Sequence, residues 1–202
     1  GTETFGGGFI YHAKDRLVYV GLVIGLDYKD PTLDLHTIFS RFKQHPAVAS
    51  LLEGGEMLRY GAKTIPEGGY YAMPKYGGDG FLIVGDSASF LNSARLKGIH
   101  LAMKSGQMAA GAIFHALQKN DFSGDTLDMF RQLVEKSFIK NELWGVRNFH
   151  QGFRWGLWGG LMQFAFQMVT GGRGIFGKLK SPEDHKMLEK ISPAKLREAQ
   201  KL

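Results

Sequence analysis

Apolar residues follow two rhythms along this chain of 202 residues, a short one near the start and a helical one that appears around residues 35–42 and dominates after residue 97. "GFIYH" (8–12) and "LVYVGLVIGLDY" (17–28) are rich in β-branched and aromatic residues. The polar "AKDR" between them predicts a hairpin. Gly21 and Gly25 interrupt the second run, which points to bulges or close backbone approach. In "DPTLDLHTIFSRFKQHP", Leu35, Ile38, Phe39 and Phe42 recur at helical spacing, and Pro46 closes the pattern. "EMLRYGAKTIP" (56–66) reads as a further strand, "EGGYYAMPKYGGDG" as a Gly-rich connection, and "FLIVGD" (81–86) as a short buried strand. A helix rich in Ala, Met and small residues is predicted from Lys97 to about Leu117. Asp125 to about Asn148 reads as two helices, or as one kinked near Gly145. In the charged tail, Ser181-Pro182-Glu183 and Ser192-Pro193 look like helix starts. Interleaved β-rich and α-rich segments make the fold class α+β or α/β.

Composition narrows the chemistry. With 44% hydrophobic residues the chain fills a core, which argues against disorder. The net charge of +6 is spread along the chain with no basic run. That balance suits an anionic membrane face or an acidic partner protein, and no nucleic-acid reader motif accompanies it. There is no cysteine, so disulfides, thiolate zinc sites and cysteine-held iron–sulfur clusters are excluded within this segment. The seven histidines are dispersed, with no acidic companions at ligand spacing, so no metal site is expected. No Ser-His-Asp or paired-carboxylate arrangement can be argued, and no catalytic residue is named. The start, "GTETFGGGFIYH", has no signal-peptide character and reads as mid-protein sequence, so the chain is expected to be a piece of a longer protein.

The segment "GFLIVGDSASFLNSARLKGIHLAMKSGQMAAGAIF" (80–114) carries the most chemistry. A strand ending in Gly-Asp that feeds a helix start suits a polyhydroxylated, anionic cofactor. The unpaired amides of the helix start attract phosphate or an electron-rich carbonyl. Gly98 removes the Cβ that would hold a flat ring system away, and Asp86 can accept hydrogen bonds from sugar-like hydroxyls. The same residues also fit a plain turn capped by Asp86, with Ser87 and Ser89 satisfying local backbone. A second feature is "WGLWGGLMQFAFQMVTGG" (155–172), uncharged and flanked by Arg154 and Arg173. Its length approaches the ~20 residues that span a bilayer, but glycines and glutamines dilute it. Trp155 and Trp158 beside Arg154 fit a segment lying at the headgroup boundary, and a buried helix hairpin fits the same composition.

The 80–114 segment resembles the second FAD-contacting motif of the glutathione-reductase-type flavoproteins. The resemblance places ribityl and pyrophosphate contacts on Gly85 and Asp86, the flavin-facing helix start on Gly98 and Ile99, and Asn92 in the small loop near the isoalloxazine. Together with "TFGGGFIYH", "GLVIGLDYKDP", "RFKQHPAVASLLEGGEMLRYGAKTIPEGGYYAMPK" and "ELWGVRNFHQGF", it is similar to the electron transfer flavoprotein–ubiquinone oxidoreductase family, over roughly residues 4–174. That resemblance implies a membrane-associated oxidoreductase with FAD and a 4Fe-4S cluster. Such an enzyme passes electrons from reduced electron transfer flavoprotein to ubiquinone, and sits peripherally on the mitochondrial inner membrane or bacterial cytoplasmic membrane. It implies a quinone contact through Gly6 and Gly7, and membrane-surface contacts through Trp155, Leu157, Trp158, Phe164 and Phe166. The expected organisation is a quinone-binding-type β-rich region over 1–75, the FAD-contacting strand–helix over 76–120, and a helical region with the membrane-surface segment over 121–202. The family's first βαβ unit with its nucleotide-binding Gly-x-Gly-x-x-Gly turn, and its cluster cysteines, do not occur in this sequence, so the segment alone is expected to be inactive. Two rival readings stand beside this one: a related FAD-dependent reductase acting on a polyprenyl lipid, and a non-enzymatic membrane-surface scaffold whose glycines are only turns.

Overall fold

A computed structural model describes residues 4–174, 177–180 and 183–199. They form a mixed α and β structure in two compact units, the described residues of 4–62 with 183–199, and those of 63–180.

The first unit is built on the expected hairpin. Strands β1 (Gly6–His12) and β2 (Val18–Ile24) pair antiparallel, with Gly6 opposite Ile24 and His12 opposite Val18. Gly21 makes no bulge. It lies opposite Phe9, whose ring occupies the space a side chain there would need. Gly8 is covered in the same way by the ring of Phe42. Phe42 belongs to helix α1 (Leu35–Gln44), which starts where Asp34 accepts the amides of His36 and Thr37. Pro46 does more than end α1: it opens helix α2 (Pro46–Leu52), at a position where its missing N–H costs nothing. From the tail, Glu189 forms an ion pair with Lys29 at 3.0 Å and donates its amide to the Lys29 carbonyl.

The strand expected over 56–66 does not form; those residues have no regular structure, and 56–66 are exposed throughout. A strand needs a neighbouring backbone edge, and among the described residues none pairs with this segment.

In the second unit the "FLIVGD" run is a strand for two residues only. Strand β3 (Gly77–Gly78) turns through Gly80, which has a φ of 74°, into β4 (Phe81–Leu82). The run is not buried: Phe81 and Val84 are exposed, because the strand is paired on one edge and covered on neither full face. Gly85, with a φ of 61°, then turns the chain into a 3₁₀ turn, Gly85–Ala88, so Asp86 sits in that turn and not at a strand end. Helix α3 (Ile99–Lys119) follows and buries Leu101, Ser105, Met108, Ala109, Ala112 and Ala116 along one face. The small residues let α4 (Gly124–Glu135) lie close against it.

The helical stretch after 125 is two helices, with the break between them at Lys136-Ser137, and the second ends at Gly145. The Ser137 hydroxyl donates to the Val134 carbonyl at the end of α4 and accepts the Ile139 amide at the start of α5 (Phe138–Gly145). Phe90, Leu101, Phe130, Val134, Ile139 and Leu143 form the core, with Tyr76 packed edge-on against Phe90 and Phe130. A tight helical hairpin completes the unit: α6 (Phe149–Gly152), a 3₁₀ turn and α7 (Gly156–Val169). Gly160 leaves room for the Phe153 ring at its crossing. The helix start read at Ser181-Pro182 lies outside the described residues; the one at Ser192-Pro193 appears as α8 (Pro193–Ala199).

Candidate functional site

The Gly-Asp turn is held against α3 by a residue the sequence did not flag. Gly85 donates its amide to the buried Ser105 hydroxyl at 3.0 Å, and that hydroxyl donates to the Ala102 carbonyl. This fixes Gly85 against the first turns of α3, where a Cβ at Gly85 would come within 3.3 Å of the Ala102 methyl. Asp86 is thereby aimed at the helix mouth. A methyl built on Gly98 would lie 2.7 Å from Asp86 Oδ1 and 2.9 Å from Leu91 Cδ1, so a side chain there would have to push both side-chain ends aside.

Two features make this mouth receptive to a polar, anionic group. Gly98 is the N-cap of α3 and has no side chain to cap it, and among the described residues no side chain accepts the amides of the first turn. Asp86 is exposed, and its carboxylate makes no hydrogen bond or ion pair among the described residues. An uncapped helix N-terminus carries a partial positive charge, and a carboxylate beside it keeps all its acceptor capacity for an incoming hydroxyl. Ile99, 80% exposed, stands at the rim of the mouth.

Asn92 occupies a different position from the other candidates. It is 1% exposed and committed within the protein: Nδ2 donates to Glu142 Oε1 at 2.8 Å, and Oδ1 accepts the Arg95 amide at 3.2 Å. Its backbone bridges Lys97 and closes the loop that leads to Gly98. Glu142 reaches the helix start by its other oxygen, 2.9 Å from His100 Nε2. Burial raises the Glu142 carboxyl, and the hydrogen bonds from His100 and Asn92 outweigh that and hold it below its ordinary value.

Gly6 and Gly7 lie in the first unit, at the start of β1. Phe5–Gly25 and Ala13–Leu17 are hydrogen-bonded pairs, so the antiparallel alternation directs the Gly7 backbone toward Val23 and leaves that of Gly6 on the outer edge of the strand. A Cβ on Gly7 would meet nothing within 4 Å, whereas one on Gly6 would collide with the Val23 carbonyl.

The apolar run forms a helix turned inside out. The buried positions of α7 are Gly160, Gln163 and Gln167, whereas Trp155 just before the helix and Leu157, Trp158, Leu161, Met162 and Phe166 within it are exposed. Phe164 departs from the expected outward set. It is half-buried and packs edge-on against Phe149, with ring centroids 5.0 Å apart. Among the described residues no helix is long and apolar enough to cross a membrane. Arg147 and Asn148 of "ELWGVRNF" staple the chain after α7, with Arg147 donating to the Gly171 carbonyl and Asn148 to the Arg173 carbonyl.

Sequence comparison decides the relationship. The profile of the ubiquinone-binding region of ETF-QO matches residues 1–65. The chain is 38% identical over 192 residues to the mitochondrial electron transfer flavoprotein-ubiquinone oxidoreductase of Oryza sativa subsp. japonica, covering 95% of this chain and 33% of that protein. The chain belongs to the electron transfer flavoprotein–ubiquinone oxidoreductase family. The relationship reaches across kingdoms. The Pseudomonas aeruginosa member is 38% identical over 194 residues (95% of this chain, 35% of its own), and the Homo sapiens member 40% over 152 residues (72% and 25%). The chain thus spans about a third or less of the length of these relatives.

Proposed function

We propose that this chain is the part of an electron transfer flavoprotein–ubiquinone oxidoreductase that seats the flavin end of FAD, offers the backbone contact to ubiquinone, and rests on the membrane surface. The observation that carries the reading is the pairing of Asp86 Oδ1 with the side-chain-free Gly98 at the uncapped start of α3. Asp86 accepts from the ribityl hydroxyls, and Gly85 keeps the turn close enough for it to do so. The first-turn amides of α3, with Gly98 and Ile99 at the mouth, face the electron-rich edge of the ring system and stabilise negative charge there. FAD supplies the redox chemistry when bound, accepting electrons that originate in reduced electron transfer flavoprotein. The 4Fe-4S cluster of the complete enzyme takes its ligands from outside this chain, which has no cysteine.

For the quinone, Gly6 offers an amide on the strand edge and Gly7 an approach free of side chain, a combination suited to a flat molecule with carbonyl acceptors. The inside-out α7 supports monotopic association, with Trp155, Leu157, Trp158 and Phe166 in the acyl boundary and Arg154 and Arg173 at anionic headgroups. The bilayer concerned is the mitochondrial inner or the bacterial cytoplasmic membrane. In the complete protein, Asp86→Ala tests the reading directly. The purified variant is expected to lose its bound flavin absorbance and its turnover with electron transfer flavoprotein and ubiquinone. Retention of flavin at parental occupancy refutes it.

A further inference from the structure

One carboxylate in the second unit grips the two elements that lead into the α3 mouth. Glu142 on α5 accepts from Asn92 with Oε1, and its Oε2 lies 2.9 Å from His100 Nε2. These partners lie 50 and 42 residues away in sequence and bracket Gly98 from either side. The His100 ring also lies parallel to Phe138, one turn before Glu142 on the same helix, with an interplanar angle of 5°. The platform under this bracket is rigid, because Ile139 and Leu143 of α5 are fully buried in the core. The loop it holds needs holding: Leu96 has a φ of 52°, and the loop closes on Asn92 through its backbone bridge to Lys97 and the Arg95 amide. Its other side-chain ties, from Ser89 to the Pro66 carbonyl and from Ser93 to the Glu67 carbonyl, run to a different segment.

We propose that Glu142 is a positioning residue for the flavin: by clamping Asn92 and His100 together it fixes the distance and angle between the small loop and the first turn of α3. The inference rests on the FAD reading above. Glu142 acts only through the loop and the helix start, and its carboxylate charge orients His100 with Nε2–H toward it. Nothing in the sequence links the three residues, and the family resemblance assigns no role to Glu142.

The test uses the complete protein with its FAD. Glu142→Ala is expected to weaken FAD binding about tenfold, the size of a coupling between contacting polar groups. It is also expected to move the flavin midpoint potential away from the parental value. Glu142→Gln keeps the shape and an acceptor for Asn92, and is expected to hold FAD within about threefold of the parent. Adding His100→Ala to Glu142→Ala is expected to change the potential no further. A purely structural Glu142 would lower the melting temperature while FAD affinity and flavin potential stayed parental, and that result overturns the proposal. Should Glu142→Ala fail to fold, Glu142→Asp, too short to reach both partners, decides by the same two readouts. Failure of the FAD reading itself is distinct, because Asp86→Ala would then retain flavin whatever the Glu142 variants do.

Discussion

Asp86 Oδ1 occupies the space that any side chain on Gly98 would need, 2.7 Å from where its Cβ would be. The carboxylate and the helix start therefore behave as one surface, and each can be removed separately. Asp86→Ala deletes an exposed group that makes no hydrogen bond among the described residues, so bound flavin is expected to be lost while the melting temperature, compared between the FAD-free forms of variant and parent, stays parental. Gly98→Val places methyl groups against Asp86 and Leu91, and is expected to lose flavin with a destabilisation of about 1–3 kcal/mol, as overpacked sites do. Flavin absorbance and differential scanning calorimetry on both variants separate the two effects.

The quinone contact is open to an equally selective change. A Cβ at Gly7 would meet no atom within 4 Å, and valine belongs to a residue type that strands favour. Gly7→Val is expected to leave stability and bound FAD at parental levels while ubiquinone turnover falls. Steady-state assays with a soluble acceptor alongside ubiquinone distinguish this outcome, since only the quinone reaction should suffer.

How far the sequence carried these conclusions depends on the range over which each interaction acts. The β1–β2 hairpin was legible because its β-branched runs and polar turn are contiguous, and α3 because its apolar period is local. The 56–66 segment has the composition of a strand and none of the pairing, since a partner edge is not written into a single segment. Gly85, Asp86 and Gly98 were legible as a motif, but the Ser105 hydroxyl that accepts the Gly85 amide and the Glu142 carboxylate that joins Asn92 to His100 were not. Both act across 20 residues or more, and nothing in their own neighbourhood marks them. For α7 the apolar composition was visible, while the decision between a buried hairpin and an outward face required knowing which side Gln163 and Gln167 take.

Tyr76 gives the core an alkaline limit. Burial, aided by the negative charge of Glu135, pushes its phenol up to about 12. Folding therefore favours the neutral phenol. Its contribution is complete below the ordinary phenol value of 10.0 and is lost as pH rises through about 12. The loss attributable to this group is on the order of 2 kcal/mol. Tyr76→Phe removes the ionisation, so urea denaturation at about pH 9 and about pH 11.5 should show a smaller drop in the variant than in the parent. An equal drop in both proteins would place the alkaline transition elsewhere, with Tyr70 the next candidate because burial raises its phenol in the same direction.

The outward face of α7 separates membrane docking from folding. Trp158 is 78% exposed and Met162 lies one turn further along the same helix, so replacing both by serine removes apolar surface that contributes little to the fold. If that face enters the acyl boundary, each side chain contributes about 1.5–3 kcal/mol to binding, and the double change should weaken partition to phosphatidylglycerol-containing vesicles by at least roughly a hundredfold. Gln163→Leu makes the opposite case. It places an apolar group on the buried side, against Gly152, where a close fit leaves no spare volume, so it should lower the melting temperature and leave vesicle partition unchanged. Flotation of the complete protein and its variants reads the first effect and calorimetry the second. Vesicle binding that survives loss of Trp158 and Met162 would assign membrane contact to another surface and leave α7 as a structural hairpin.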